Sequence, residues 1–287
     1  MKVIREIKSM QEIAEYNRCA GRSIGFVPTM GYLHKGHVSL VEKARQDNDI
    51  VVVSIYVNPT QFLKGEDLNK YPRDFERDYI MCEKSGADYI FYPGDGEMYS
   101  QNHYTNVVVS NISDKLEGKF RPGHFTGIAT IVYKLFNAVK PHKAYFGQKD
   151  AQQVLVIKKM VSDLNYDVDI VVGETIREDS GLAMSSRNSY LSAEYKSQAG
   201  EISQALCEAK KLIMSGRVSS TKEVLEYIVR YISTQAPRGE IQYVAITDNT
   251  ELDDISDIRS YSGEVLISTA IKFGATRLID NVLFTKN

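Results

Sequence analysis

The chain reads as an α/β protein: a parallel sheet with helices on both faces, followed by a small α+β domain. Three observations predict this. Short apolar runs alternate with helical patterns through the first part of the chain, at Ile24 to Val27, Ile50 to Val57, Tyr89 to Tyr92, Ala144 to Phe146 and Asp169 to Val172, which is the order of a parallel sheet with crossover helices. The run Ile50 to Val57, IVVVSIYV, is almost unbroken, as expected of a central strand buried on both faces. From about Tyr190 the order changes. Two helical stretches, roughly 192–215 and 220–235, precede the runs IQYVAITD, EVLISTAIKFG and TRLIDNVLF, helices first and then an antiparallel sheet. At 287 residues two domains are expected, with the boundary between Arg177 and Leu191, drawn as residues 1–180 and 181–287.

Each element has a local reason. Ile13, Ala14 and Tyr16 behind Ser9, a candidate N-cap, predict a short leading helix from 9 to about 20. Strand Ile24 to Val27 runs into Pro28 and Gly31, and Val38, Leu40, Val41 and Ala44 then fall at helical spacing. After Asn58-Pro59, Gln61 and a polar stretch, Phe75, Tyr79 and Cys82 mark a helix closed by Gly86. A strand is predicted around Val107 to Val109, then a loop from Leu116 to His124, then a long helix with Ile128, Ile131, Val132, Leu135 and Phe136. Gly147 to Asp150 opens a further helix bearing Val154, Leu155, Ile157 and Val161, and Gly181 to Arg187 forms another loop. In such sheets ligands bind beyond the carboxyl ends of the strands, where these loops would line one crevice.

Acidic and basic residues nearly cancel, leaving a net charge of −2, so no electrostatic footprint points to nucleic acid or an anionic membrane. Cys19, Cys82 and Cys207 are far apart and odd in number; they read as free thiols of a reducing compartment. The N-terminus lacks the apolar core of a secretory signal, and no stretch of eighteen uncharged apolar residues occurs. A soluble, cytoplasmic protein is expected.

Chemistry concentrates in Phe26 to His37, FVPTMGYLHKGH. A strand, a tight loop and a helix start leave backbone N–H groups unpaired, with the positive end of the helix dipole behind them, a seat for phosphate. His34 and His37 stand at that entry, and Gly36 between them removes a side chain that would block backbone approach. One histidine there would more often be structural; two flanking a glycine favour function. Lys149 offers a point charge to polyphosphate, although alone it would be an ordinary surface lysine. Ser185, Ser186 and Arg187 offer two hydroxyls and a guanidinium fork, and by themselves are also a common turn. Neither a GxGxxG fingerprint nor a GxxxxGK[ST] loop is present.

The segments PTMGYLHKGH, VNPTQF, YPRD, LEGKFRPGHFTGI, YFGQKDAQQ and GLAMSSRNSYLS, in this order, together with TRLIDN near the end, resemble the ATP-dependent pantoate–β-alanine ligases, a family of the HxGH nucleotidyltransferases. MSSR stands where related enzymes carry a KMSKS loop. The resemblance implies a Rossmann-like catalytic domain, a small lid domain that begins with the MSSR loop, a homodimer, and ATP with Mg²⁺, pantoate and β-alanine as ligands. It implies two half-reactions: pantoate attacks the α-phosphate of ATP to give pantoyl adenylate and pyrophosphate, and the β-alanine amine then displaces AMP.

Carried over residue by residue, the resemblance implies an ATP segment at Met30, Gly31, Tyr32, Leu33, His34, Lys35, Gly36 and His37, with His37 as proton donor. A second is Gly147, Gln148, Lys149 and Asp150. Ile176 and Met184 fall where adenine is held, and Ser185, Ser186 and Arg187 complete the phosphate clamp. Gln61 and Gln153 match the pantoate-holding residues, with Asn58 beside them. Asp78 is a candidate for Mg²⁺ or for the incoming amine, against the alternative of a solvated helix carboxylate. Arg121 and His124 of RPGH read as ordering groups rather than as chemistry. Ser180, Gly65 and Ala245 depart from the family's usual Asp, Asn and Glu, away from these assigned positions. Two other readings stay open: a nucleotidyltransferase that releases its nucleotidylated product, and a nucleotide-binding regulator without turnover.

Overall fold

The computed structural model describes all 287 residues. The strands are β1 (Lys2–Ile4), β2 (Ile24–Thr29), β3 (Ile50–Ile55), β4 (Tyr89–Phe91), β5 (Lys143–Gly147), β6 (Asp169–Gly173), β7 (Gly239–Asp248), β8 (Gly263–Phe273) and β9 (Thr276–Lys286). The helices are α1 (Ile7–Cys19), α2 (Lys35–Asp47), α3 (Phe75–Lys84), α4 (Asp95–Met98), α5 (Glu117–Phe120), α6 (His124–Val139), α7 (Ala151–Asp163), α8 (Ala193–Met214) and α9 (Thr221–Gln235).

Contacts divide the chain into two compact units. The first comprises Met1–Asp114, Gly118–Gln148 and Gln152–Glu174, and the second Lys115–Glu117, Lys149–Ala151 and Thr175–Asn287. The first unit holds a six-stranded sheet in the order β1-β4-β3-β2-β5-β6, with every pairing parallel. Side chains alternate between the faces of a strand, and here both faces are covered. Val27, Val51, Val53 and Tyr145 pack with Leu40, Val41 and Ala44 of α2. From the neighbouring positions, Phe26 and Phe146 meet Phe136 of α6 edge-on, at ring separations of 6.3 and 6.5 Å. That two-sided burial explains the continuous apolar character of β3, as expected from its sequence.

The chain winds outward from β2 through β3 to β4, then returns to the other side of β2 to form β5 and β6. The winding therefore reverses between β2 and β5, and the crevice beyond their carboxyl ends is the topological switch point at which such sheets bind ligands. β2 delivers Met30 and Gly31 there, and β5 delivers Gly147 and Gln148.

The second unit carries α8, α9 and the antiparallel sheet β7-β8-β9. Its core joins Ile202, Leu206 and Ile213 of α8 to Val224, Ile228 and Ile232 of α9 and to Val265, Ile267 and Ile271 of β8. The order of helices then sheet is the expected one.

Two local expectations are corrected and one strand is added. Val107 to Val109 form no strand; the Val107 N–H donates instead to Thr130 Oγ1 at 2.9 Å. Ser9 is not the cap of α1, which begins at Ile7 after Glu6, and its hydroxyl donates to Glu6 Oε2. Lys2–Ile4, too short to show a pattern of its own, becomes the edge strand beside β4.

Candidate active site

The histidine turn is built by reciprocal capping. His34 is the N-cap of α2: its Nδ1 accepts the Gly36 N–H at 3.2 Å, and His37 Nδ1 accepts the His34 N–H at 3.3 Å. Two donors that a helix start leaves over are thereby satisfied by imidazoles instead of by the usual hydroxyls and carboxylates. The two rings lie 4.0 Å apart and are tilted by 32°. Because each Nδ1 accepts a backbone N–H, each neutral ring carries its proton on Nε2. In that tautomer the donor of each ring is Nε2–H, at a helix N-terminus.

The approach to this turn is a left-handed kink. Gly31 has φ +81° and Tyr32 φ +50°, and a Cβ on Gly31 would stand 3.0 Å from both Asp78 Oδ2 and Ile55 Cγ2. Thr29 Oγ1 donates to the Ser54 carbonyl at 2.7 Å and accepts the Gly31 N–H at 3.1 Å, pinning the end of β2 to β3. Asp78 of α3, which is 1% exposed, then accepts the N–H groups of Tyr32 and Leu33 at 2.6 and 2.7 Å. Its neighbour Arg77 donates to the Leu33 carbonyl at 2.8 Å and lies over the Tyr32 ring. Asp78 is thus a buried fastener of the loop and not the solvated carboxylate considered above; burial is the largest influence on its pKa and raises it.

A second constellation surrounds Gln61. Asn58 is buried, and its Oδ1 accepts from the Thr60 hydroxyl and the Tyr99 hydroxyl, each at 2.9 Å. Its amide N–H groups are therefore turned to the Gly127 carbonyl, 3.1 Å away, and to Gln61 Oε1, 3.2 Å away. With Oε1 taken, Gln61 Nε2 donates to the Met30 sulfur, 3.0 Å away. Gly127 is required here: a Cβ would come within 2.5 Å of the Thr60 carbonyl oxygen. On the other side of Gln61, its carbonyl lies 2.7 Å from His124 Nδ1, His124 Nε2 lies 2.7 Å from Arg121 Nη1, and Arg121 makes two 2.7 Å bonds to Glu66. Burial pushes the Glu66 carboxyl up, but the Arg121 bonds outweigh it and hold it below the usual carboxylate range.

Gln153 is half-buried on α7, whereas Gln152 beside it is buried and donates to the Ile112 carbonyl at 2.7 Å. Lys35 is exposed, and Gly147 and Gln148 end β5 in the first unit. Nothing lies within 4 Å of the position a Cβ on Gly147 would take.

The remaining candidates belong to the second unit. Lys149 is tied to it by its carbonyl, which accepts from Asn281 Nδ2 at 2.9 Å, and its ammonium lies 3.5 Å from Asp150 Oδ1. Ile176 and Met184 face each other across a narrow turn, the Met184 N–H donating to the Ile176 carbonyl at 2.9 Å, with Arg177 and Ala183 bridged between them. Arg177 closes the base, reaching the two oxygens of Asp280 at 2.7 and 2.9 Å and the Gly181 carbonyl at 3.0 Å. Asn188 donates to Glu178 at 2.7 Å and to the Ala183 carbonyl at 3.1 Å. Ser185 caps the single turn Ser186–Tyr190 by accepting the Arg187 N–H, and Ser186 is buried. Sequence reading did not single out Tyr99, Thr60, Glu66, Arg77, Gly127, Arg177, Glu178, Asn188 or Asp280. Their partners lie far along the chain or across a turn, and no spacing rule connects them.

A doubly wound sheet with a histidine-capped helix start at its switch point defines a nucleotide-binding α/β protein. The match is more specific. Residues 2–283 fit the family model described as pantoate-beta-alanine ligase, and the chain belongs to that family; it is an enzyme, a ligase joining pantoate to β-alanine. It is 50% identical to a pantothenate synthetase of Acetivibrio thermocellus over 283 residues, 99% of each chain. A pantothenate synthetase of Caldicellulosiruptor bescii is likewise 50% identical over 285 residues, 99% of each chain. Among solved structures, a pantothenate synthetase of Thermus thermophilus superposes with a TM-score of 0.90 at 41% identity, covering 98% of this chain and 99% of that one. The pantoate–β-alanine ligase of Francisella tularensis, in a complex with β-γ ATP and β-alanine, matches with a TM-score of 0.79 at 33% identity, covering 99% of this chain and 97% of that one.

Proposed function

We propose that the chain condenses (R)-pantoate with β-alanine at the expense of ATP, through an enzyme-bound pantoyl adenylate, giving pantothenate, AMP and pyrophosphate and so a precursor of coenzyme A. The observation that carries this reading is the paired His34 and His37 cap at the switch point, a ready seat for phosphate. A carboxylate is a poor acylating agent. Its oxygen attacks the α-phosphorus, pyrophosphate leaves, and the mixed anhydride then has AMP as a good leaving group for the amine.

Met30 to His37 and Gly147 to Asp150 take the nucleotide in this reading, Ile176 and Met184 flank adenine, and Lys149, Ser185, Ser186 and Arg187 meet the phosphates. Gln61 and Gln153, with Asn58 behind Gln61, hold pantoate by neutral hydrogen bonds that leave its carboxylate nucleophilic. For His37 we favour hydrogen bonding over proton donation. To act as an acid its ring would first have to be an imidazolium, and Nδ1, which accepts the His34 N–H, would then carry a proton facing another. Phosphoryl transfer rests mainly on positioning and charge stabilisation, which a neutral Nε2–H supplies.

Mg²⁺ does not find a protein cage here. No group of three His, Cys, Asp or Glu side chains is placed to hold a metal, and both Asp78 oxygens accept backbone N–H groups. Magnesium is commonly held through nucleotide phosphates, and we assign Asp78 to the loop instead. The division into a catalytic part, 1–180, and a lid, 181–287, belongs to the same proposal. So does a homodimer, supported by the unpaired β-branched segment at Val107 to Val109, where Tyr104 is 85% and Val108 64% exposed. A cytoplasmic location is supported by three free cysteines, and no helix is long and apolar enough to cross a membrane.

The test supplies ATP, Mg²⁺, pantoate and β-alanine and follows pyrophosphate and AMP separately. Pyrophosphate release should require pantoate, and sustained AMP release should require β-alanine as well. A nucleotidylated product set free would support the transferase reading, and no turnover with any acid the regulatory one.

A further inference from the structure

We infer that His124, held by Arg121 and Glu66, is a positioning residue for pantoate: it acts by clamping the main chain of Gln61, while Asn58 sets the side chain of the same residue. The inference rests on the reading above that Gln61 holds pantoate.

The direction of each hydrogen bond follows from chemistry. The Arg121 guanidinium has only donors, so at the 2.7 Å contact between Nη1 and His124 Nε2 the ring nitrogen must accept. Nε2 is then without a proton in that bond, and the neutral ring carries its proton on Nδ1. Nδ1 faces the Gln61 carbonyl oxygen at 2.7 Å, which can only accept. The tautomer required at one end is the tautomer required at the other. Arg121 is itself fixed by the two 2.7 Å bonds to Glu66, with side chains only 14% and 24% exposed, a bidentate geometry that orients the guanidinium plane. Its remaining Nη2 contact reaches the same Gln61 carbonyl at 3.4 Å.

Gln61 therefore sits in a vice. Its carbonyl plane is set from α6 and the RPGH turn, the short turn Pro59–Gln61 closes by the Phe62 N–H donating to the Pro59 carbonyl at 3.2 Å, and its Oε1 is taken by Asn58. What remains is the Nε2 amide with its two N–H donors, one of them set against the Met30 sulfur at 3.0 Å, so the position of the group is defined. A site that must aim one carboxylate oxygen at phosphorus gains from such definition, because small misplacements of a reacting group are costly.

The measurement is the KM for each substrate in variants of the full-length enzyme. Asparagine places an amide N–H near the position of Nδ1, whereas glutamine places its polar group near Nε2. His124→Gln should raise the KM for pantoate by about tenfold, the effect of losing one positioning hydrogen bond, with the KM for ATP moving less than about twofold. His124→Asn should keep the pantoate KM within about threefold of the wild type. Arg121→Met, which frees the ring without removing it, should fall between them. Equal damage from Gln and Asn, or equal changes for pantoate and ATP, would overturn the inference and leave His124 a packing residue. Gln61→Ala serves as the control: if it leaves the pantoate KM unchanged, the assignment of pantoate to Gln61 fails, which is separate from failure of the clamp. Should His124→Gln not fold, the contrast of Arg121→Met with His124→Asn still decides, a pantoate KM unchanged in Arg121→Met counting against the clamp.

Discussion

Asp78 Oδ2 accepts the Tyr32 N–H at 2.6 Å, joining the first turn of α3 to a residue whose φ of +50° few side chains tolerate. With the second bond to Leu33 at 2.7 Å, this carboxylate holds in place the backbone kink that leads into His34. Asp78→Ala would leave two inward N–H groups without acceptors, at a cost of about 2–5 kcal/mol, read by denaturant unfolding. ATP affinity should fall with it.

The same residue makes a pH prediction. Burial, the largest influence, raises the Asp78 pKa, against the lowering by the Leu33 and Tyr32 N–H groups. A carboxyl whose folded pKa is raised contributes stability that is complete below its unfolded pKa, about 3.9, and is lost as pH rises through the folded value. The stability difference between wild type and Asp78→Asn, measured by unfolding at a series of pH values, should therefore shrink as pH rises from about 4 and level off once the folded pKa is passed.

His37 separates two roles. If Nε2–H only donates a hydrogen bond, His37→Gln should keep adenylation within about tenfold of wild type, while His37→Ala should lose about 10²–10³-fold. Pyrophosphate release in a single turnover measures both. Glutamine as damaging as alanine would favour proton transfer.

At the base of the Met184 turn, the Arg177 and Asp280 pair is partly buried, with side-chain exposures of 27% and 5%. Burial, the largest influence on the Arg177 pKa, lowers it, but the Asp280 bond and charge raise it further, so the net shift is upward. Asp280→Ala would leave the guanidinium without its counter-ion and should cost about 2–4 kcal/mol, somewhat less than a fully buried pair because Arg177 keeps some solvent. Thermal unfolding gives the stability loss, and a rise in the KM for ATP would report the loosened turn.

Cysteine reactivity should be strongly graded. Cys82 is 1% exposed, and burial, with a smaller contribution from Asp78, pushes its thiol up to about 12, so it should resist alkylation in the native protein. Cys19 is exposed and should be modified first, as peptide mapping after iodoacetamide would show.

The α/β class, the helices α8 and α9, the three late strands and the histidine-flanked start of α2 were legible from sequence because each rests on local chemistry. A β-branched run, a helical period, or two histidines around a glycine can be read without knowing what lies opposite. Val107 to Val109 shows the limit: its composition is that of a strand, but within this chain no neighbour pairs with it, and pairing is a property of two segments. Asp78 shows another. Its position on a helix after YPRD gave no sign that its two oxygens meet Tyr32 and Leu33, forty-six and forty-five positions away.

What the sequence determined by itself, then, is the order of helices and strands and the family whose motifs the chain carries, with His34, His37, Gln61, Gln153, Lys149 and the Ser185-Ser186-Arg187 triplet as the side chains it nominates for the chemistry. What only the tertiary structure decided is how these groups are held. The Nδ1 bonds of the His34 and His37 pair, the Asn58 bond to Gln61 Oε1 and the Glu66–Arg121–His124 chain behind it all join residues through space. Hydrogen-bond direction depends on which donor meets which acceptor in three dimensions, and a linear order of residues does not contain it.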